Sequence, residues 1–317
     1  MALLKYILKK MLMLLPVLVG ISIIAFALGI MSPGDPVDQV LNPNGNESYT
    51  QAEYDAMAAK MGLDQPAVVQ YFNWVDGLAH GDLGRSFFTN KSVMDQLVKR
   101  IPISLKLAGF SMLLTILFGV GFGILMAVRK DRLLDHVLGT FSTAALSVPG
   151  FWIAIVLIFL FAEQWKLLPS SGISGGSGFI LPAVTLALPS IGVCARLTRS
   201  AILDEIGRQY MTVADAKGMS RRHAVVCHAF GNALIPIITY LGNHMAGIIG
   251  GASIVETIFA IPGIGSYAIA GVQSKDYYVV QAYVLFSGCI YVLTNILIDL
   301  IYIALDPKIR AGEAVES

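Results

Sequence analysis

The sequence predicts an all-α polytopic membrane protein with six transmembrane helices and a polar, extracytoplasmic insert between the first two. Three observations carry this. Of 317 residues, 56% are hydrophobic and 14% charged, against about 25% charged in an ordinary soluble domain. Several windows run without charge for the roughly 20 residues a helix needs to cross a hydrocarbon core of about 30 Å. Lysine and arginine are also distributed by side, as the positive-inside bias requires.

Taken in order, the chain opens with a basic flank, Lys5, Lys9 and Lys10, followed by an uncharged run from Met11 to Met31. That run exceeds the about 7–15 residues of a signal-peptide core. Residues 1–31 are therefore expected to stay as a signal anchor, although Ala25 and Ala27 mimic a cleavage site. Residues 32–100 mix Gly, Pro, Asn, Asp, Tyr and Trp, and patches such as AEYDAMAAKMGL have amphipathic helical spacing. They form the expected insert, ordered rather than a linker. Further spans are expected over Leu107–Val128, Val137–Ala162, Phe179–Ala195, Ala229–Val255 and Val279–Ile298, within a core covering residues 101–306 and followed by a tail, 307–317. Pro149, Pro182, Pro189 and Pro236 fall inside these spans. Bundled membrane helices tolerate them because neighbours satisfy the freed carbonyls. Lys106 is either a site residue or an anchor whose long stem reaches the interface.

Orientation follows from charge. The N-terminal flank, the 129–132 loop, the 196–222 loop and the tail hold 14 of the 22 Lys and Arg residues. These segments are therefore expected on the cytoplasmic side with both termini, in a bacterial or archaeal plasma membrane. A net charge of +1 gives no footprint for nucleic acid. Cys194, Cys227 and Cys289 lie far apart and make no CxxC pair, so neither a disulfide framework nor a zinc knuckle is expected. No GxxxxGK[ST] occurs, so this chain has no cradle for nucleotide phosphates and no cofactor of its own is expected. Gly119, Gly121 and Gly123 sit in an uncharged window without the strand and helix of a dinucleotide fold, and read as helix packing. Gly247 and Gly251 make a second small-xxx-small pair. His223, Cys227 and His228 could align ligands at i and i+4, but two aligned ligands do not make a metal site.

The longest polar loop reads DEIGRQYMTVADAKGMSRRHAVVCHAFGNALIP, Asp204 to Pro236. Tyr210 to Lys217 are good helix formers, and Gly218 can supply the left-handed turn that ends such a helix. The pattern Tyr210, Ala214, Ala216, Lys217, Gly218, then Asn232, Ala233, Leu234 and Pro236, resembles the cytoplasmic coupling loop, or EAA loop, of binding-protein-dependent permeases. The ordered segments GDLGRSF at Gly81, RIPISLKLA at Arg100, SVPGFW at Ser147, VETIFAIPGIG at Val255, DYYVVQ at Asp276 and LDPKIR at Leu305 are similar to segments of the oligopeptide, dipeptide and nickel members of that family. Three departures are visible. Thr212, Val213 and Ala214 stand where many members have Glu-Ala-Ala, Asp215 stands where peptide-type relatives usually carry a basic residue, and Tyr278 replaces a usual proline.

The resemblance implies a type I ABC importer permease fold. It also implies a second homologous permease subunit, two ATPase subunits that carry ATP and magnesium, and an extracytoplasmic substrate-binding protein. In that scheme the loop over 196–228 docks on an ATPase through Tyr210, Ala214, Asp215, Ala216, Lys217 and Gly218, and acts as a rigid lever between two packings of the pathway. Gate or pathway candidates are His244, a polar group at membrane depth, and the VETIFAIPGIG stretch, with Glu256, Phe259, Pro262, Gly263 and Gly265, where the helix breaks. His244 is equally readable as a packed, hydrogen-bonded residue, and Glu256 as structural or pathway-facing. No catalytic residue is expected. The expected function is a non-enzymatic permease forming half of a path for di- and oligopeptides. Nickel or a metal chelate is the alternative cargo, and a secondary transporter is a remote reading because no intramembrane run of paired carboxylates and lysines, and no inverted repeat, is apparent. An intramembrane hydrolase would need a nucleophile with its base or an HExxH helix, and neither occurs.

Overall fold

The computed structural model describes residues 2–31, 34–42, 45–46, 48–173, 175–209, 211 and 229–305, with backbone alone at 2–15, 250–251 and 302–305. Among the described residues there is no strand beyond one isolated bridge, Arg85 to Ser92. The chain divides into two compact units, one of residues 1–104 and 262–292, the other of 105–261 and 293–317.

In the first unit, α1 (Ala2–Ile30) is followed by three short helices, α2 (Pro36–Leu41), α3 (Gln51–Met61) and α4 (Ala67–Ala79). Each start has a local cause. Asp35 caps α2, accepting from the Val37 amide at 2.8 Å, and Pro36 fills the first turn, where no amide partner is needed. Thr50 and Glu53 form a capping box on α3. Phe26 of α1 meets Tyr71 and Trp74 of α4, with ring centroids 5.3 and 5.9 Å apart. The long helix α5 (Val93–Leu114) begins in this unit, which also holds α12 (Ile264–Gln273) and the start of α13 (Tyr277–Leu305). Leu83, Val93, Leu97, Ile264, Val279 and Ala282 form its buried core.

The second unit is built around α9 (Ile180–Ile206), which packs against α6 (Gly121–Val128), α7 (Leu133–Ser147), α8 (Gly150–Leu157), α10 (Phe230–Gly251) and α11 (Ser253–Ile258). Missing side chains let the backbones approach. A Cβ on Gly119 would lie 2.7 Å from that of Cys194, one on Gly123 would collide with Thr198, and one on Gly192 would lie 2.6 Å from the Ser142 carbonyl. Gly119 and Gly123 of the second apolar span are thus packing contacts, as expected, whereas a Cβ on Gly121 would meet nothing within 4 Å. A Cβ on Gly247 would likewise meet nothing within 4 Å. Two buried hydroxyls bond back along their own helices, Thr115 to the Ser111 carbonyl and Thr185 to that of Leu181, so burial leaves neither of these two unpaired. The core cluster holds Ala127, Ile202, Met211, Ala229, Ala233 and Ile237.

Several helix ends differ from the expected spans. The second begins at Val93 and continues through a wider π turn, Thr115–Val120, to Val128. The third is two helices bent by 102° at Val148 and Pro149, because proline disfavours helical geometry at the residue before it. The fourth runs to Ile206, beyond Ala195. The fifth breaks at Ala252. Among the described residues, Val93–Val128, Gly176–Ile206 and Tyr277–Ile301 can each cross a bilayer by length and composition, and the bent pair adds a fourth if it is one span.

Candidate functional site

Four of the sequence segments meet in the first unit around the turn that follows Pro262. Ser104 Oγ accepts from the Ile264 amide at 2.9 Å, which caps the start of α12. Arg100 donates to the Gly263 carbonyl at 3.4 Å, and its guanidinium lies 4.5 Å from the centroid of the Tyr267 ring, a cation–π distance. The RIPIS segment of α5 therefore clamps Pro262, Gly263 and Gly265. The other end of α12 is fixed by Asp276, which is 2% exposed. Its carboxyl accepts from the Ser86 hydroxyl and from the Phe87 and Val279 amides, tying GDLGRSF to DYYVVQ. Burial nevertheless pushes this carboxyl above the usual carboxylate range, against the lowering effect of those three donors. Tyr278, in place of the usual proline, lies against Gly84, where an added Cβ would come within 2.7 Å of its ring. Sequence reasoning singled out neither Arg100, Ser104, Ser86 nor Asp276 as a site residue. The order of their segments was the available signal.

The remaining gate candidates lie in the second unit. Glu256 and Phe259 are both 1% exposed, on and just after α11. The Phe259 carbonyl accepts from the Gly172 amide at 2.8 Å. The turn that leaves α11 closes with the Ala260 amide on the Thr257 carbonyl and the Ile261 amide on that of Glu256, with Ala260 in the left-handed region at φ 49°. His244 sits on α10 with its ring parallel to that of Tyr240, at 3° and 5.6 Å between centroids. Tyr240 in turn donates to the Ser190 carbonyl of α9 at 3.2 Å. His244 Nε2 is buried with no hydrogen-bond partner among the described residues.

Toward the other end of α9, Arg199 makes a two-pronged ion pair with Asp135 of α7, at 2.7 and 2.8 Å. Asp135 Oδ2 also accepts from the Asp131 amide, which seals the 129–132 loop onto α7. Tyr210, Ala214, Asp215, Ala216, Lys217 and Gly218, together with His223, Cys227 and His228, lie outside the described residues. Asn232, Ala233, Leu234 and Pro236, the downstream part of the same pattern, occupy the first two turns of α10, with Ala233 in the core.

Comparison with known proteins accounts for both units. The family model described as binding-protein-dependent transport system inner membrane component matches residues 119–311, and its N-terminal companion matches residues 3–108. The "Probable peptide ABC transporter permease protein y4tP" of Sinorhizobium fredii is 36% identical, covering 96% of this chain and 99% of the relative. The dipeptide transport system permease protein DppB of Escherichia coli is 32% identical, covering 97% and 99%. Among solved structures, an inward-facing MetNI methionine ABC transporter aligns at a TM-score of 0.58 and 17% identity, over 67% of this chain and 97% of that one. An amino acid ABC transporter aligns at 0.52 and 18%, over 65% and 92%. These two likenesses show the type I importer permease fold. With a family model across more than half its length and relatives above 30% identity from end to end, the chain belongs to the binding-protein-dependent transport system inner membrane component family.

Proposed function

We propose that this chain is a non-enzymatic permease subunit of an ATP-driven importer, forming one half of a transmembrane path for di- and oligopeptides. The observation that supports this most is end-to-end similarity to relatives named as peptide and dipeptide permeases. A second, homologous permease would complete the path, a binding protein would deliver the peptide, and two ATPase subunits carrying ATP and magnesium would supply the energy. Both termini and the basic 129–132 and 196–222 loops would face the cytoplasm, where the lysine and arginine bias puts them. Residues 32–100 would then form an extracytoplasmic insert, and residues 101–306 the permease core. The 196–228 loop would dock on an ATPase through Tyr210, Ala214, Asp215, Ala216, Lys217 and Gly218. The turn Pro262–Gly265, with Glu256 and Phe259 before it, would act as an outer gate, and His244 would face the path.

The test is co-purification of the tagged chain from its native membrane, then an ATPase assay with peptides or nickel supplied through the co-expressed binding protein. Recovery of a second permease and two ATPase chains, with hydrolysis stimulated by peptide, is the expected result. Stimulation by nickel alone would reassign the cargo. A chain recovered alone and active without ATP would overturn the reading.

A further inference from the structure

The first unit encloses two adjoining cavities that no step of the transport scheme uses. The outer one, about 570 Å³, has Asp35, Asp55, Asp64, Tyr54, Gln70 and Tyr277 in its lining and, among the described residues, no lysine or arginine there. Lys275 lies over Gly34 at its rim. Two of the carboxylates are partly committed: Asp35 accepts from the Val37 amide and from the Tyr54 hydroxyl at 2.6 Å, and Asp55 from Gln51 at 2.8 Å. Asp64 makes no hydrogen bond among the described residues and is exposed. The Tyr54 phenol is pushed up to about 12, first by its bond to Asp35. The mouth is therefore a concave anionic surface, which favours a cation.

The inner cavity, about 150 Å³, shares Ile30, Leu63, Gln70 and Tyr277 with the outer one and is walled by Phe26, Trp74, Phe87 and Tyr278. Gln281, whose amide packs on Gly29, completes it. Trp74 and Gln281 are 6% and 3% exposed, and Trp74 Nε1 and Gln281 Oε1 have no hydrogen-bond partner among the described residues. Buried polar atoms are normally paired, and an unpaired one destabilises the fold that holds it. Here a donor and an acceptor are both left open beside an aromatic chamber, next to an anionic mouth. A peptide group supplies the complement of that pair, and a free amino terminus supplies the cation.

We propose that the two cavities form an accessory subsite for the amino-terminal end of a peptide. The ammonium is held by the carboxylates of the outer cavity. The first peptide group is held by Trp74 and Gln281 in the inner one. The same chemistry can come from free cargo or from the amino-terminal tail of a protein partner. The choice of a peptide as ligand rests on the function proposed above.

The full chain, purified into lipid nanodiscs, is titrated with trialanine and with its N-acetylated form by calorimetry. Trialanine is expected to bind, with acetylation weakening it about tenfold or more, the scale of one charge-assisted contact. Asp64→Asn, Trp74→Phe and Gln281→Leu are each expected to weaken binding by a similar factor. Trp74→Phe and Gln281→Leu should leave the thermal midpoint of the unliganded chain unchanged or raised, because each removes an unpaired polar atom. Absence of binding by both trialanine and a folded protein bearing an Ala-Ala-Ala tail, equal binding of the acetylated form, or unchanged affinity in the variants overturns the proposal. So does a lowered midpoint in Trp74→Phe without peptide binding, which would mark a chamber holding ordered water only. A folded protein bearing an Ala-Ala-Ala tail, titrated in parallel, separates the sources: binding of both ligands supports the subsite with cargo as a ligand, and binding of the tail alone supports it with a protein terminus. ATP-driven peptide import by the assembled wild-type transporter is measured alongside. Import without subsite binding overturns the subsite alone, and subsite binding without import overturns the importer reading alone.

Discussion

Among the described residues, four helices end in the same left-handed turn, with paired amides closing on the last carbonyls. At the ends of α3 and α4 the left-handed residue is Gly62 or Gly81, which adopts that geometry without a Cβ penalty. At the ends of α11 and α12 it is Ala260, φ 49°, or Lys275, φ 57°, and each costs about 1–2 kcal/mol relative to an unstrained backbone. Ala260→Gly is therefore expected to stabilise the chain by about 1 kcal/mol, read as a raised thermal midpoint. If the turn after Glu256 is part of the gate, the same variant should also change peptide-stimulated ATP hydrolysis, and an unaltered turnover would remove the turn from the gate. Asp276 supports a second expectation. Its carboxyl titrates higher in the fold than in the unfolded chain, so folding takes up a proton. This contribution is fully present below the ordinary carboxylate range and is lost as the pH rises through the elevated folded value. Asp276→Asn should flatten that part of the pH dependence in thermal unfolding. An unchanged profile would assign the slope to another group. The segments that build these turns were legible in the sequence as an ordered set. Their contacts were not, because Arg100 reaches Gly263 across 163 positions, and no local pattern encodes such a pairing.

At the scale of elements, apolar windows located the helices and misplaced their ends for an identifiable reason. The fourth window stops at Ala195 because Arg196 and Arg199 follow, yet the helix continues to Ile206. Arg199 is neutralised by Asp135, 5% exposed at its side chain, from the neighbouring helix, and a paired charge does not end a helix. The bend after Ser147 was missed because proline was read as tolerated, and Pro149 instead sits at the cap between two helices. The ion pair gives a sharp expectation. Arg199→Met strands a buried carboxylate and should cost about 3 kcal/mol, whereas adding Asp135→Leu to it should recover most of that loss. A double variant no more stable than the single one would show that the pair itself, and not the stranded charge, holds α7 to α9. Gly192 makes the companion case. A Cβ there would run into the Ser142 backbone, so Gly192→Val should destabilise by about 1–3 kcal/mol through forced separation of the same two helices. A normal thermal midpoint in that variant would disprove the close approach.

For the whole molecule, the question is how an energy source outside this chain would reach a path inside it. The chain has no GxxxxGK[ST] motif, and on the function proposed above ATP held by partner ATPase subunits would act on it by moving a surface the chain presents. Under the proposed function that surface is the 196–228 loop. Its flanks are set firmly into the second unit: α9 leads in with Ile202 fully buried, and Ala233 and Ile237 of α10 lie beside it in one core cluster. A push on the loop would therefore be delivered to two helices that share a close-packed interior, which transmits displacement and does not absorb it. Gly218 stands where the sequence expects the coupling helix to turn. Gly218→Val should strain that turn and break the lever, leaving membrane insertion and subunit assembly intact while ATP hydrolysis proceeds without import. Transport at the wild-type ratio of peptide moved to ATP hydrolysed would show that the lever does not turn at Gly218. Asp215→Lys probes the same surface by charge: a changed ATPase turnover places Asp215 against the partner, and wild-type turnover places it in solvent, where a reversed charge is screened.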